Sequence, residues 1–312
     1  MSYRDSIEET GAPAREKSLI AVYWALASVF ILTLIKAAAY YYGGSAAMLA
    51  SLTDTLGDGL ISLVTLLSLR ISLKPADEDH RHGHGKAEGF SALLQGSFLM
   101  GAAAFLLFDS FERFFRPVEI GHHFLGIGVS AVAVVLSIIV VKVQKRCLEH
   151  VQSLAIEADQ RHYANDILIN GAVIIGLLVH YYTGVLWVDT ALGVVIACYL
   201  GWTGYDIGHK ATNMLMDREI GEEERARITQ IVNQNKEVRG MHDLRTRRMG
   251  MDVHISFDVE LDPQLSLHDA HAITRELEFA LLGEFPNAEI IIHMDPEGDP
   301  YDTRHKVQGV HH

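Results

Sequence analysis

The chain has 312 residues, 49% of them hydrophobic, and a formal net charge of -13. This apolar content, with a positive mean hydropathy, excludes an ordinary acidic soluble domain and implies a membrane protein with a polar appendage. The acidic balance argues against nucleic-acid binding and suits a cationic partner.

The first sixteen residues are polar and mixed in charge, and no short apolar segment with a small-residue cleavage site follows them, so no cleaved leader is expected. Six apolar segments then run over residues 17–42, 46–73, 87–115, 121–146, 155–182 and 185–212. Each reaches or exceeds the ~20 residues a helix needs to cross a bilayer. The loop after the second carries Arg70, Lys74, Arg81 and Lys86, and the loop after the fourth carries Lys142, Lys145 and Arg146. The positive-inside tendency assigns these loops to the cytoplasm, and with an even number of spans both termini follow. Arg113 and Arg116 violate the pattern mildly, which snorkelling absorbs. The two cysteines, Cys147 and Cys198, are far apart and imply neither a disulfide framework nor a thiolate metal site.

Inside the second segment, residues 51–60 read SLTDTLGDGL. Asp54 and Asp58 are four apart, so a helix points both carboxylates to one face. Carboxylates at membrane depth are costly unless paired, protonated or hydrated, and two on one face also repel. A divalent cation removes both problems. The fifth segment offers a second pair at the same spacing, His162 and Asp166. Two helices with two ligands each make a four-coordinate set of one imidazole and three carboxylates, suited to zinc and its neighbours. Cadmium, ferrous iron and manganese also fit such donors. Gly57 and Gly59 flank Asp58 and would let a neighbouring helix come close. Between the second and third segments, Asp77, His80, His82 and His84 crowd a glycine-containing loop that could wrap a cation.

From residue 213 onward charge rises and long apolar runs stop. A helix is expected from Glu222 to Gln234, opened by three acidic residues that complement its dipole. Strand-like alternation follows in residues 242–250 and 251–262. In the second strand Val253, Ile255, Phe257 and Val259 share one face, and Asp252, His254, Ser256, Asp258 and Glu260 the other. Pro263 and Ser266 mark a turn and an N-cap before a helix from Leu267 to Leu282, and a strand AEIIIH closes the order α-β-β-α-β. About eighty residues make a marginal core, which dimerisation or metal would help to hold. The organisation read from the sequence is a polar cytoplasmic N-terminus at 1–16, a transmembrane bundle of six helices at 17–212, a cytoplasmic domain at 213–298 and a polar tail at 299–312.

Five stretches, SLTDTLGDGL, PADEDHRHGHGKAE, ADQRHYANDILINGA, HDLRTR and IIIHMDP, together resemble the cation diffusion facilitator family over nearly the whole chain, especially its bacterial YiiP/FieF-type zinc and iron efflux branch. The resemblance implies six transmembrane helices, a ferredoxin-like (metallochaperone-like) α+β cytoplasmic domain, and a homodimer in the bacterial inner membrane. It implies exchange of cytoplasmic zinc, or Cd2+ or Fe2+, for external protons by alternating access. Asp54, Asp58, His162 and Asp166 match the family's transport site. Asp77, His80 and His84 match its loop site, to which His82 is an extra imidazole. His242, His271, His293 and Asp295 match a binuclear cytoplasmic site. Asp258 departs from that pattern, where relatives usually carry a bridging histidine, and His254 and His268 are nearby candidates to compensate. Lys86 and Asp217 resemble a charged pair joining the membrane and cytoplasmic parts. His122, His123, His180 and His209 read as interfacial, and His305, His311 and His312 belong to the tail.

No catalytic residue is expected. An intramembrane aspartyl protease would use Gly57-Asp58 and Tyr205-Asp206, but Thr55 stands where its GxGD pattern needs glycine, the motif order is reversed, and the histidine clusters would have no role. A metal sensor without transport would explain the cytoplasmic histidines but not four ligands at membrane depth.

Overall fold

In the computed structural model the described residues are 3–43, 46–115, 123–183 and 187–298. Six long helices come first: α1 (Tyr3–Gly43), α2 (Ala46–Ser72), α3 (Ala87–Phe115), α4 (His123–Leu148), α5 (Leu154–Thr183) and α6 (Trp187–Leu215). Each contains a stretch long and apolar enough to cross a membrane. Helix α1 extends backward from its apolar part, Glu16–Tyr42, through polar residues to Tyr3. Residues 116–122 and 184–186, with Arg116 and His122, lie outside the described residues, as do the side chains of Arg113, His123 and His180 and the tail histidines His305, His311 and His312.

The chain divides into two compact units, with Pro13–Leu215 as the helical one. Lipid gives helices no hydrophobic reason to associate, so close packing and internal polar contacts hold the bundle. The tightest approach is between α3 and α6. A Cβ added to Gly96 would sit 2.8 Å from the Gly204 carbonyl oxygen and 2.9 Å from the Gly208 nitrogen. The expected close approach at Gly57 is not what its surroundings require, since a Cβ there would meet only Phe98, at an ordinary 3.8 Å. Gly59 is tighter, 3.1 Å from Val29.

Buried polar groups link the helices. Ser62 of α2 meets the Tyr163 hydroxyl at 3.0 Å, and the Tyr163 hydroxyl also donates to the Ala25 carbonyl at 3.2 Å. Asp159 accepts from the Gln144 amide at 2.5 Å. At the start of α5, Glu88 accepts from Ser153 Oγ at 2.6 Å, Ser72 Oγ at 3.1 Å and the Ala155 amide at 3.4 Å. The carboxylate thus satisfies donors at a helix N-terminus, where negative charge is favoured. It ties the ends of α2, α3 and α5 together.

The second unit includes Met216–His312. Its elements are α7 (Glu222–Asn233), β1 (Gly240–Met249), β2 (Asp252–Leu261), α8 (Leu267–Glu284) and β3 (Ala288–Pro296). The sheet order is β1-β2-β3, with β1/β2 antiparallel and β2/β3 parallel. This is the ferredoxin-like order β-α-β-β-α-β without its first strand. The alternation read in the second strand holds: Val253, Ile255, Phe257 and Val259 are buried, and the intervening residues lie on the other face. They pack with Ile228 and Val232 of α7 and Ile273, Leu277 and Leu281 of α8. Ser266 caps α8 by accepting from the Asp269 amide at 3.2 Å. The β1/β2 register slips between His242 and Arg245, where Asp243 adopts a positive φ of 50°.

Candidate metal centres

The first centre lies between α2 and α5. Both helices form because long apolar runs in lipid must satisfy their backbone internally. Their helical period aligns Asp58 with His162 and Asp166. His162 Nε2 is 3.0 Å from Asp58 Oδ1 and 3.8 Å from Asp166 Oδ2. Ligand atoms of the three residues fall within 4.8 Å of one another, close enough for one ion to touch all three. His162 is nearly fully buried, and Phe98 of α3 lies edge-on to its ring. The fourth expected member, Asp54, is exposed one turn earlier on α2 and stands outside this group.

The second centre is the α2–α3 loop. Asp77 Oδ1 accepts from the His80 amide at 2.7 Å and the Asp79 amide at 3.1 Å, closing an Asx-type turn. The hydrogen bond from the His80 amide, aided by the His80 side chain, holds the Asp77 carboxyl below the usual carboxylate range. His84 Nε2 lies 3.4 Å from Asp77 Oδ2, and His80 Nδ1 lies 3.2 Å from Asp77 Oδ1. The buried His84 Nδ1 has no hydrogen-bond partner, so the donor set fits a cation. His82 is exposed and is not one of the three.

The third centre lies on the sheet. His242, Asp258 and Asp295 form a compact group, with His242 Nε2 3.3 Å from Asp295 Oδ2 and 3.8 Å from Asp258 Oδ2. Strand register explains this, since His242 pairs with Asp258 across β1/β2 and Asp258 with His293 across β2/β3. His293 is largely exposed but reaches Asp295 at 3.1 Å. Partial burial, reinforced by Asp243 and Asp295, pushes the Asp258 carboxyl above its usual range, though His293 and His242 oppose the shift. His271, exposed on α8, is not in the group, and neither is exposed His268. His254 pairs instead with Glu289 at 2.8 Å, so it does not stand in for the imidazole that Asp258 lacks.

The members of the expected charge pair fall in separate units. Lys86 donates to the Leu215 carbonyl at 3.3 Å, and Asp217 meets Arg247 at 3.4 Å. His209 stacks on Tyr205. Sequence reasoning passed over Lys36, Glu88, Asp159 and Glu260. The first three carried a readable signal, a charge within or at the edge of an apolar run. Glu260, 3.6 Å from His242 Nδ1, looked like any polar-face residue.

Comparison with known proteins agrees with this architecture. The cation efflux transmembrane domain matches residues 22–216, and the cation efflux protein cytoplasmic domain matches residues 220–297. A cation-efflux pump FieF of Shewanella oneidensis is 44% identical over 271 residues, covering 87% of this chain and 91% of the relative. The FieF pump of Serratia proteamaculans is 39% identical over 280 residues, 90% of this chain and 92% of its own. A solved structure titled "Mode of Action of a Putative Zinc Transporter CzrB" is 32% identical over 25% of this chain and 99% of its own, with a TM-score of 0.25. The relatives are transporters rather than enzymes, and the protease reading falls. The chain belongs to the cation efflux, or cation diffusion facilitator, family of multi-pass membrane metal exporters.

Proposed function

We propose that this exporter is a divalent metal/proton antiporter, with zinc as its main cargo and Cd2+ or Fe2+ as alternatives. It works as a homodimer in the bacterial inner membrane with both termini in the cytoplasm. The carrying observation is the convergence of Asp58, His162 and Asp166 inside two membrane-spanning helices. One imidazole with carboxylates suits zinc and tolerates harder ions. Asp54, one helical turn from Asp58, supplies the fourth donor when the cargo draws the two helices together.

The same atoms explain exchange. His162 Nε2 faces both Asp58 and Asp166, so a proton or a metal ion occupies that nitrogen, never both. With a proton there, the N–H donates to Asp58 and holds the empty site together. On the acidic side protons displace cargo, and on the cytoplasmic side cargo displaces protons. An empty, unprotonated site would carry several uncompensated charges through the membrane, which disfavours switching without a passenger.

Asp77, His80 and His84 would hold a resident ion that braces the loop. His242, Asp258, His293 and Asp295 would hold another in the C-terminal domain, with His271 joining only if α8 or its side chain moves. Such an ion would neutralise the acidic row and let two protomers approach. Zinc uptake into proteoliposomes under an imposed pH difference tests the antiport. Uphill zinc movement with counter-flow of protons is expected, and zinc flux that moves no protons would refute it.

A further inference from the structure

Helix α1 carries one lysine deep in its apolar run, in the sequence ILTLIKAAAY. Lys36 does not snorkel to an interface: it is only 8% exposed. Its ammonium donates to Thr55 Oγ1 at 2.5 Å and to the Ser51 carbonyl at 3.1 Å. Thr55 is itself buried and directly follows Asp54. The ammonium is therefore docked on the segment of α2 that supplies Asp54 and Asp58. Ser51 and Thr55 stand three residues before Asp54 and Asp58 respectively, a spacing at which helix positions are surface neighbours. If Lys36 served only to glue α1 to α2, an uncharged donor would do so without the cost of an intramembrane charge.

Charge balance gives the residue a purpose. Three ionised carboxylates with a neutral imidazole carry three negative charges, and Lys36 leaves two. A single divalent ion then makes the loaded centre neutral. Without Lys36 the loaded ligand set keeps one net negative charge. We propose that Lys36 is the resident counter-charge of the transport site, matching it to divalent cargo. This rests on the assignment of Asp54, Asp58, His162 and Asp166 to the transported ion.

The full-length protein in proteoliposomes, with zinc as the probe, tests the role through KM and maximal rate. In Lys36→Gln the repelling cation is gone, so KM falls several-fold, while the rate falls by about tenfold or more because the loaded site now crosses charged. Lys36→Arg keeps the charge and stays within about twofold of the parent. Lys36→Met gives the same split as Lys36→Gln and replaces it should that variant not fold. A neutral variant with parental KM and rate overturns the proposal, and so does one whose KM rises, the mark of a merely structural contact. Asp58→Ala is run alongside. If it transports normally, the site assignment itself is wrong. If it is inactive while Lys36→Gln behaves as the parent, only the role of Lys36 fails.

Discussion

His162 Nε2 lies 3.0 Å from Asp58 Oδ1, bridging α5 to α2 within the apolar part of the bundle. Asp166 approaches the same nitrogen from the next turn of α5, while Asp54 stands apart. The four positions therefore differ in weight. Asp58→Ala and His162→Ala should each lower zinc uptake by about 100-fold, and Asp54→Ala by about tenfold, since a water can fill an outer position more readily than a central one. Equal losses at Asp54 and Asp58, measured at matched protein density in vesicles, would show that Asp54 is a permanent member.

The helices, and the side-chain pairs Asp54/Asp58 and His162/Asp166 upon them, were legible because apolar length and the i,i+4 spacing are local properties of the chain. The strand pattern of β2 was legible for the same reason, through its period of two. What the sequence could not reveal depends on tertiary placement. Spacing put Asp54 and Asp58 on one helix face but not at equal distance from His162. Likewise, nothing local marked Gly96 rather than Gly57 as the site of closest helix approach, or showed that Lys36 turns inward.

At Gly96 a side chain would meet the Gly204 carbonyl and Gly208 nitrogen, which are backbone and cannot rotate away. Gly96→Ala should therefore lower the thermal stability of the detergent-solubilised protein by about 1–3 kcal/mol, the usual cost of overpacking. Gly57→Ala has space and should be close to neutral. If both variants unfold at the parental temperature, α3 and α6 are less tightly apposed than the glycine contacts imply.

Glu88 makes an unusually consequential contact for a residue without a ligand role. It is fully buried and receives hydrogen bonds from Ser72, Ser153 and the Ala155 amide. Glu88→Ala would strand those donors, at about 1–3 kcal/mol for each buried unsatisfied group. Glu88→Gln retains an acceptor and should lose less. Melting curves of both variants decide the matter, and equal behaviour would mean that water already serves the N-terminus of α5.

The C-terminal domain gives a prediction whose sign follows from linkage. The folded Asp258 carboxyl is raised above its ordinary range, so it favours the protonated form. Its contribution is fully present below the unfolded value of about 3.9 and is lost as pH rises through the folded one. At neutral pH the ionised side chain therefore weakens the metal-free domain. Asp258→Asn should raise the melting temperature of the isolated 213–312 fragment by about 2–4 °C in the presence of a chelator. With zinc the order should reverse, because the amide is a poorer ligand than carboxylate. Asp258→His restores an imidazole between His242 and His293, which flank it in the strand register, and should tighten zinc binding by about tenfold in calorimetry. Unchanged affinity in both variants would remove Asp258 from the ligand set.

Proton coupling places the greatest demand on one atom. Under the proposed exchange, metal and proton compete for His162 Nε2, so acid on the release side should speed zinc discharge and acid on the loading side should slow uptake. His162→Asp replaces the imidazole with a fourth carboxylate. The site then holds only hard donors, and cargo preference should move from zinc toward manganese or ferrous iron. It also removes the nitrogen that faces both Asp58 and Asp166, so the dependence of flux on pH should change. Vesicles loaded with a zinc indicator and a pH-reporting dye measure both quantities together. A His162→Asp protein that still carries zinc with the parental pH profile would mean that the exchanged proton sits on another group. The coupling would then have to be sought at the neighbouring buried carboxylates rather than at the imidazole.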